Sequence, residues 1–469
     1  RRLLRGALRY RSRGYFLPRR HNRMVLEGPL NVGMETYHLI VYGCQMNVYD
    51  GEAIATSLQA VGLREIESPE DADLIIVYTC TVRASAAERA VGRVNALGAL
   101  TRDTPSKYLA VGGCLPQAEA DNLLVVCPDV DLVFGTGQLG RVPSFIDLLE
   151  TGDGPFVLVD ETEWEPSVSV SARTSPVRAN VSIMRGCDNY CSYCIVPYVR
   201  GRERSRPAAD VLNEVDELVQ SGYKDITLIG QNVNSYHDGG ATFAELLRQV
   251  DGLCDGAFLR FTTNHPKDMG ENVVGAMAEG RNVARHLHLP LQAGSDRILA
   301  EMNRGYTAAE YIELVGAIRE AVPGICLTTD VMVGFPTESE REFEETLGLI
   351  KEIGFDGAYT FVYSPREGTA AAKRPDDVPP EEKRRRITEL ITVQREISLE
   401  RNKTFVGREV IALAEKPSRR TPDETAGRIS ENKTVNLPGV YAPGEMLPVE
   451  ITEASYWTLR GKVVGPTGI

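Results

Sequence analysis

The chain has 469 residues, 42% of them hydrophobic, and a net charge of −13. It is too long for one hydrophobic core, so two to four domains are expected, and no apolar run reaches the ~20 residues that cross a bilayer, which excludes a helical membrane protein. Nine cysteines are too sparse for a disulfide scaffold; with no secretory pattern in view, they point to metal chemistry in the reducing cytoplasm.

Residues 1–34 form a basic leader. Residues 1–24 hold nine Arg and no acid, without apolar periodicity. A nucleic-acid arm, a transit peptide, or sequence upstream of a start at Met24 or Met34 all fit; the last is preferred, and disorder is expected.

Residues 35–150 alternate strand and helix. TYHLIVYG, ADLIIVYT, SKYLAVGG and DLVFGTG are short runs rich in β-branched residues, and the first two are followed by the helical patterns GEAIATSLQAVG and VRASAAERAVGRVNAL. Such alternation predicts an α/β domain with a Rossmann-like parallel sheet. Residues 151–175 read as an extended linker.

Residues 176–400 repeat the βα unit six times, with strands in VSIMRG, DITLIG, AFLRFTT, RHLHLPL, CLTTDVMVG and GAYTFVYS. This predicts a partial (βα)6 TIM-like barrel, whose chemistry belongs at the strand C-terminal ends. Cys187, Gly230-Gln231-Asn232, Asn264-His265, Gln292 and Gly334 all stand just past strands. Residues 401–469 break into short strands with turn residues, as in GREVIALAEK, AGRISENKTVNLPG and GEMLPVEITEAS, which fits a small β-barrel.

Two sets of cysteines stand out. Cys187, Cys191 and Cys194 form a C-x3-C-x2-C pattern in a polar loop after the first barrel strand, where three buried core thiols would be out of place. No second CxxC or HxxxH lies nearby to complete a zinc tetrahedron. Cys44, Cys80 and Cys114 are far apart in sequence but each follows a strand, and in a parallel sheet those ends share one edge. They converge there on one reading and are small core residues on the other. Cys127, Cys254 and Cys326 read as core. Three thiolates around a four-iron cluster leave one iron open, which is the mark of a catalytic site.

The motifs YGCQMNVYDGE (42–52), YTCTVR (78–83), GGCLPQ (112–117), RGCDNYCSYCIVPYVRGRERSRP (185–207), LIGQNVNSY (228–236), FTTNHPKDM (261–269), HLPLQAGSDRIL (288–299), MNRGYT (302–307) and DVMVGFPTE (330–338) resemble, in this order, the methylthiotransferase family of radical S-adenosylmethionine enzymes. The resemblance extends from residue 36 to the C-terminus, where the last block is similar to the RNA-binding TRAM barrel. GCQMN and FTTNHPKD resemble the branch acting on isopentenylated adenosine in tRNA. Tyr78 departs from it, since relatives usually carry Asn before the second cysteine.

The resemblance implies two [4Fe-4S] clusters and two molecules of S-adenosylmethionine. Cys187, Cys191 and Cys194 would hold the cluster that binds S-adenosylmethionine and yields a 5′-deoxyadenosyl radical, with Gly230, Gln231, Gln292 and Gly334 cradling that cofactor. Cys44, Cys80 and Cys114 would hold the auxiliary cluster carrying the sulfur to be methylated and delivered to C2 of adenosine 37, beside the anticodon. No catalytic residue beyond the cluster ligands is assigned. The implied partners are the tRNA anticodon stem-loop and an external electron donor such as flavodoxin or ferredoxin, with no membrane and a monomeric chain. Arg200, Arg202, Arg204 and Arg206, following the cluster loop, and Arg460, near Tyr456 and Trp457, are the candidate RNA contacts. His265 reads as structural or catalytic with equal ease. Other readings are the same chemistry on threonylcarbamoyladenosine in tRNA or on a ribosomal-protein aspartate, and, from another class, an iron–sulfur electron carrier or RNA-binding module.

Overall fold

In the computed structural model, which describes residues 33–81, 84–102, 104–160, 170–418 and 421–465, the N-terminal block alternates strand and helix. Its elements are β1 (Thr36–Val41), α1 (Gln45–Ala60), β2 (Arg64–Glu65), β3 (Leu74–Thr79), α2 (Ala84–Thr101), β4 (Tyr108–Gly113), α3 (Cys114–Val126), β5 (Leu132–Phe134), α4 (Ser144–Glu150) and β6 (Phe156–Leu158). All six strands pair in parallel, in the order β2-β1-β3-β4-β5-β6. The run LIIVYT of β3 is buried throughout because both faces of the sheet are covered. Leu74, Ile76 and Tyr78 join a cluster with Ile54, Leu58 and Phe145 of α1 and α4; Ile75 and Val77 join one with Val94, Leu97 and Leu123 of α2 and α3. A strand covered on two sides needs such a continuous apolar run.

Two strands of this sheet escape the sequence reading. β2 has only two residues, and β6 lies in the stretch read as a linker. β6 extends the sheet beside β5, and the far end of that stretch is held by α1, where the N–H groups of Ser171 and Ala172 donate to Thr56 Oγ1 at 3.1 and 3.0 Å. Residues 161–169 lie outside the described residues, as does the basic leader up to residue 32. Its last two residues belong to the sheet block: Met34 is buried and the Gly33 N–H donates to Glu150 Oε1 at 2.9 Å.

The central block comprises β7 (Arg178–Ser182), β8 (Met184–Arg185), α5 (Val196–Arg200), β9 (Arg204–Ser205), α6 (Ala208–Gln220), β10 (Asp225–Ile229), α7 (Phe243–Asp251), β11 (Phe258–Phe261), α8 (Glu271–Glu279), β12 (His286–His288), α9 (Asp296–Glu301), α10 (Ala308–Ala321), β13 (Cys326–Val333), α11 (Glu340–Ile353), β14 (Gly357–Val362) and α12 (Pro380–Lys403). β7, β10 and β11 pair in parallel, as do β12, β13 and β14, and a parallel bridge from Leu259 to Val283 joins the two halves. The six strands expected from sequence therefore make an arc open between β7 and β14, around a core that includes Val181, Leu228, Leu259, Leu287 and Val331. Helix starts are written locally: Thr242 with Glu245, Thr307 with Glu310 and Ser339 with Glu342 form capping boxes at α7, α10 and α11.

Beyond α12, β15 (Glu409–Pro417), β16 (Glu424–Ile429), β17 (Thr434–Pro438), β18 (Met446–Ala454) and β19 (Leu459–Val463) close into a barrel ordered β15-β16-β17-β19-β18. The stretch AGRISENKTVNLPG is a hairpin, and its turn caps the foot of the central barrel. Arg260 donates to the carbonyls of Ser430 and Ile429 at 2.8 and 2.9 Å and to Asp225 at 2.9 Å. Lys433 reaches Asp356 at 3.0 Å, and Cys326 at the start of β13 packs in the small barrel's core.

Candidate metal centres

The loop between β8 and α5 carries Cys187, Cys191 and Cys194 at the mouth of the central barrel, and its backbone is held from three sides. The Gly186 N–H donates to Gln231 Oε1 at 2.5 Å. Ser192 donates its N–H to Met302 O at 2.9 Å and its hydroxyl to Glu301 O at 2.7 Å. Asn303 Nδ2 donates to the carbonyls of Asn189 and Tyr190, both at 3.1 Å. The motif MNRGYT thus clamps the cysteine loop, and Arg304 Nη1 reaches the Cys191 sulfur at 3.3 Å. Burial pushes the thiols of Cys187 and Cys194 up to about 11 and about 12, and the neighbouring Cys191 adds to both. A cluster binding here must therefore displace protons as it forms.

Cys44, Cys80 and Cys114 stand at the C-terminal edge of the N-terminal sheet. β1, β3 and β4 are adjacent, with Val41 opposite Tyr78 and Thr79 opposite Gly113, so the residues that follow them emerge side by side. Two glycines permit the approach. Gly43 has φ +136°, and a Cβ there would stand 2.7 Å from Cys80 Cβ; Gly113 has φ +105°, and a Cβ would overlap the Thr79 backbone. A hydrogen bond with Cys80, then the charge of Arg200, brings the Cys44 thiol down to about 6, whereas burial raises that of Cys114.

Arg200 comes from the other module. It ends α5, six residues past Cys194, and is buried against α1, where Nη2 donates to Asp50 Oδ2 at 2.8 Å and Asn47 Oδ1 at 3.1 Å. Tyr78 donates to the same Asp50 oxygen at 2.9 Å. The residue that departs from the family pattern thus belongs to the support beneath the thiols.

Among the described residues no three His, Cys, Asp or Glu side chains are closed around one metal ion. The fit to larger groups is tested by what surrounds the thiols. Buried polar atoms in native proteins rarely lack a partner. At the mouth Gln231 Nε2, Asn232 Oδ1, Asn264 Oδ1 and His265 Nε2 lack one, and beside the second trio so does Arg200 Nη1. Four of these orphans follow β10 and β11, at the barrel end where a polar cofactor is expected; the fifth is a cation beside thiols that ligate as anions. Both surroundings fit.

The four candidate cofactor residues all lie at the mouth. Gly230 packs closely on Met184, and the backbone of Gln292 is stitched to Asp330 and Met332 at 2.8 Å each. The Gly334 N–H donates to Glu338 Oε2 at 2.6 Å. His265 is buried and edge-on to Tyr306; burial, then the charges of Arg304 and Lys267, take its pKa down to about 2, so the ring is neutral.

The arginines divide against expectation. Arg206 is buried, 2.6 Å from Glu214 and 2.7 Å from Ser182 O, and Glu214 also binds Arg173 at 2.6 Å. Arg200 and Arg206 are therefore turned inward and committed to carboxylates, which corrects their reading as RNA contacts. Arg202 and Arg204 are exposed, with Arg202 2.7 Å from Asp188, and they line an open cleft with Arg185, Arg200, Tyr198, Gln117 and Thr136. Arg460 is ion-paired with Glu424. Trp457 is 70% exposed, with Arg395 5.9 Å from its ring centroid, so it is no core residue. Sequence reasoning missed Arg185 and Arg304; MNRGYT was the one signal that could have pointed to Arg304.

Three family patterns match the chain: the Radical SAM superfamily over residues 181–350, the Uncharacterized protein family UPF0004 over 36–135, and the TRAM domain over 403–464. A tRNA-2-methylthio-N(6)-dimethylallyladenosine synthase of Carboxydothermus hydrogenoformans is 44% identical over 440 residues, covering 92% of this chain and 99% of that protein. A synthase of the same name from Moorella thermoacetica is 42% identical over 437 residues, covering 92% and 98%. Among solved structures, the radical S-adenosylmethionine methyltransferase TsrM from Kitasatospora setae, with cobalamin and a [4Fe-4S] cluster bound, superposes with a TM-score of 0.58 at 14% identity, over 72% of this chain and 77% of that one. That last likeness is one of fold.

Proposed function

Because this chain belongs to the tRNA-2-methylthio-N6-dimethylallyladenosine synthase family of radical S-adenosylmethionine enzymes, we infer that its two cysteine trios divide the labour of one reaction, the methylthiolation of isopentenyladenosine in tRNA. It is a transferase that uses S-adenosylmethionine and iron–sulfur cofactors. The reacting atom is C2 of the adenosine at position 37, and two S-adenosylmethionine molecules are consumed. Bound at the mouth, a four-iron centre with S-adenosylmethionine supplies the one-electron chemistry that an unactivated aromatic C–H bond demands.

The chain's own residues hold, orient and shield. Cys187, Cys191 and Cys194 ligate the centre at the barrel mouth, on a loop fixed by Asn303 and Arg304. Gly230, Gln231, Gln292 and Gly334 hold S-adenosylmethionine; the unpartnered Nε2 of Gln231 is a donor left over for its carboxylate. Cys44, Cys80 and Cys114 ligate the second centre, which carries the sulfur. Residues 35–150 serve the second centre, 176–400 the first, and 401–469 grip RNA with Arg460 and Trp457, while Arg202 and Arg204 meet phosphates beside the mouth. The electron donor is external, of flavodoxin or ferredoxin type, and the enzyme acts as a monomer in the cytoplasm, where tRNA is found and thiols stay reduced.

The observation that carries this reading is the pair of three-cysteine sets at strand C-terminal edges of two modules, bridged by Arg200. Anaerobic reconstitution should give about eight iron atoms per chain, with Cys187→Ala and Cys44→Ala each removing about half. Nucleosides of tRNA from a strain lacking the gene should lose 2-methylthio-N6-isopentenyladenosine; an unchanged level would refute the substrate. Iron content unaltered by Cys44→Ala would refute the second centre.

A further inference from the structure

The second cysteine trio has an unusual electrical setting. Arg200 is buried within reach of Cys44 and Cys114, and its Nη1 has no hydrogen-bond partner. Arg185 is buried as well, lines the same cleft as Arg200, and forms no side-chain hydrogen bond or ion pair among the described residues. Its neighbours in charge are Arg200, Asp50, Tyr78 and Cys114. Two guanidiniums thus face one carboxylate, Asp50, because the buried phenol of Tyr78 stays neutral. Arg366, in the loop after β14, adds its charge near Cys80. Burying an unpaired charge is costly, and proteins avoid it unless a counter-ion is supplied. Three thiolates on an iron–sulfur core are such a counter-ion, since they leave the centre net negative.

The origin of the cations matters equally. Arg185, Arg200 and Arg366 all belong to the central barrel, while the three cysteines and Asp50 belong to the N-terminal sheet. Arg185 stands two residues before Cys187 and Arg200 six after Cys194, so one loop carries the ligands of the first centre and the countercharge of the second.

We propose that Arg185 and Arg200 are positioning residues that supply, from the barrel, the buried positive charge balancing the centre on Cys44, Cys80 and Cys114, and so set its reduction potential. The proposal rests on the reading that this trio holds an iron–sulfur centre. Removing a nearby positive charge makes uptake of an electron less favourable, whereas a change of shape that keeps the charge does not.

The test uses the full chain with Cys187, Cys191 and Cys194 all changed to Ala, so that only the second centre forms on anaerobic reconstitution with iron and sulfide. Iron content and midpoint potential, followed by electron paramagnetic resonance during a mediated titration, are compared with those of the same protein carrying Arg200→Gln, Arg200→Lys, Arg185→Gln or Arg185→Lys. Each Gln variant is expected to lower the reduction equilibrium constant tenfold or more, about 59 mV for one electron, and each Lys variant to restore most of the shift. A Gln variant that takes up no iron where its Lys counterpart does also supports the proposal. Equal potentials for Gln and parent, or Lys behaving like Gln, would overturn it. No iron on the parent variant would instead sink the reading of the trio, and the proposal with it.

Discussion

Arg304 Nη1 lies 3.3 Å from the sulfur of Cys191, although 113 positions separate the two residues. The same guanidinium donates to Pro290 O at 3.1 Å and to Tyr306 Oη at 3.0 Å, so it fixes the cysteine loop against the segment leading from β12. Arg304→Met strips these acceptors of their donor at a cost of about 1–3 kcal/mol. The urea midpoint should fall accordingly, and anaerobically prepared protein should keep the iron of the Cys44 set while losing that of the Cys187 set, which an iron assay on Cys44→Ala and parent backgrounds will distinguish.

Gly113→Ala forces a Cβ into the Thr79 backbone at φ +105°, with strain of about 1–3 kcal/mol. The strands that present Cys80 and Cys114 must then part. Iron bound by the Cys187→Ala variant, which has only the second trio intact, should drop when Gly113→Ala is added. Gly92→Ala in α2, where a Cβ meets nothing within 4 Å, should leave iron unchanged and raise stability by about 0.5–1 kcal/mol.

Stability should decline in mild acid. His265 is buried and His286 half-buried, and desolvation holds both folded pKa values below the unfolded 6.5, that of His265 at about 2. Below pH 6.5 the unfolded chain takes protons that the folded chain refuses. The stability of the neutral ring is thus complete above 6.5 and lost as pH falls from there toward the folded value. For one such His the slope approaches ~1.4 kcal/mol per pH unit. Urea unfolding at pH 7.5 and 5 should show the loss, and His265→Gln should reduce it by about 2 kcal/mol at pH 5; identical pH profiles would refute a buried neutral ring.

Arg206 and Arg204 should part company in binding assays. Arg206→Gln takes one of two arginines from buried Glu214 and should cost about 3 kcal/mol without changing how tRNA affinity varies with salt. Arg204→Ala should barely alter stability but reduce the slope of log affinity against log salt by about 0.7–0.9, one phosphate contact. An unchanged slope for Arg204→Ala would remove it from the RNA interface.

Cys44, Cys80 and Cys114 were legible because they follow strands whose apolar runs are unmistakable, and parallel pairing forces those ends together; Cys187, Cys191 and Cys194 were legible from their spacing within one loop. The orientation of the arginines was not. Arg200 and Arg206 alternate with exposed neighbours in a run that reads as one solvated stretch, and only the tertiary structure turns two of them inward, Arg200 toward Asp50 on α1 and Arg206 toward Glu214 on α6. The bond from Arg304 to Cys191 was equally hidden, since no local pattern relates residues so distant. β6 was lost for a simpler reason: three residues between a Gly-Pro pair and an acidic stretch carry too little periodicity to mark a strand.

The turn that binds Arg260 and Asp356 fastens the small barrel to the foot of the central one, while the cysteine loop occupies its opposite pole. The strands between them have three to eight residues and rise ~3.3 Å per residue, so the two ends stand about 10–25 Å apart. An RNA that touches both must run along the flank of the barrel. The central barrel is then a ruler: a single nucleoside can satisfy the mouth, but only a longer molecule reaches the far mark, and length is tested together with the base.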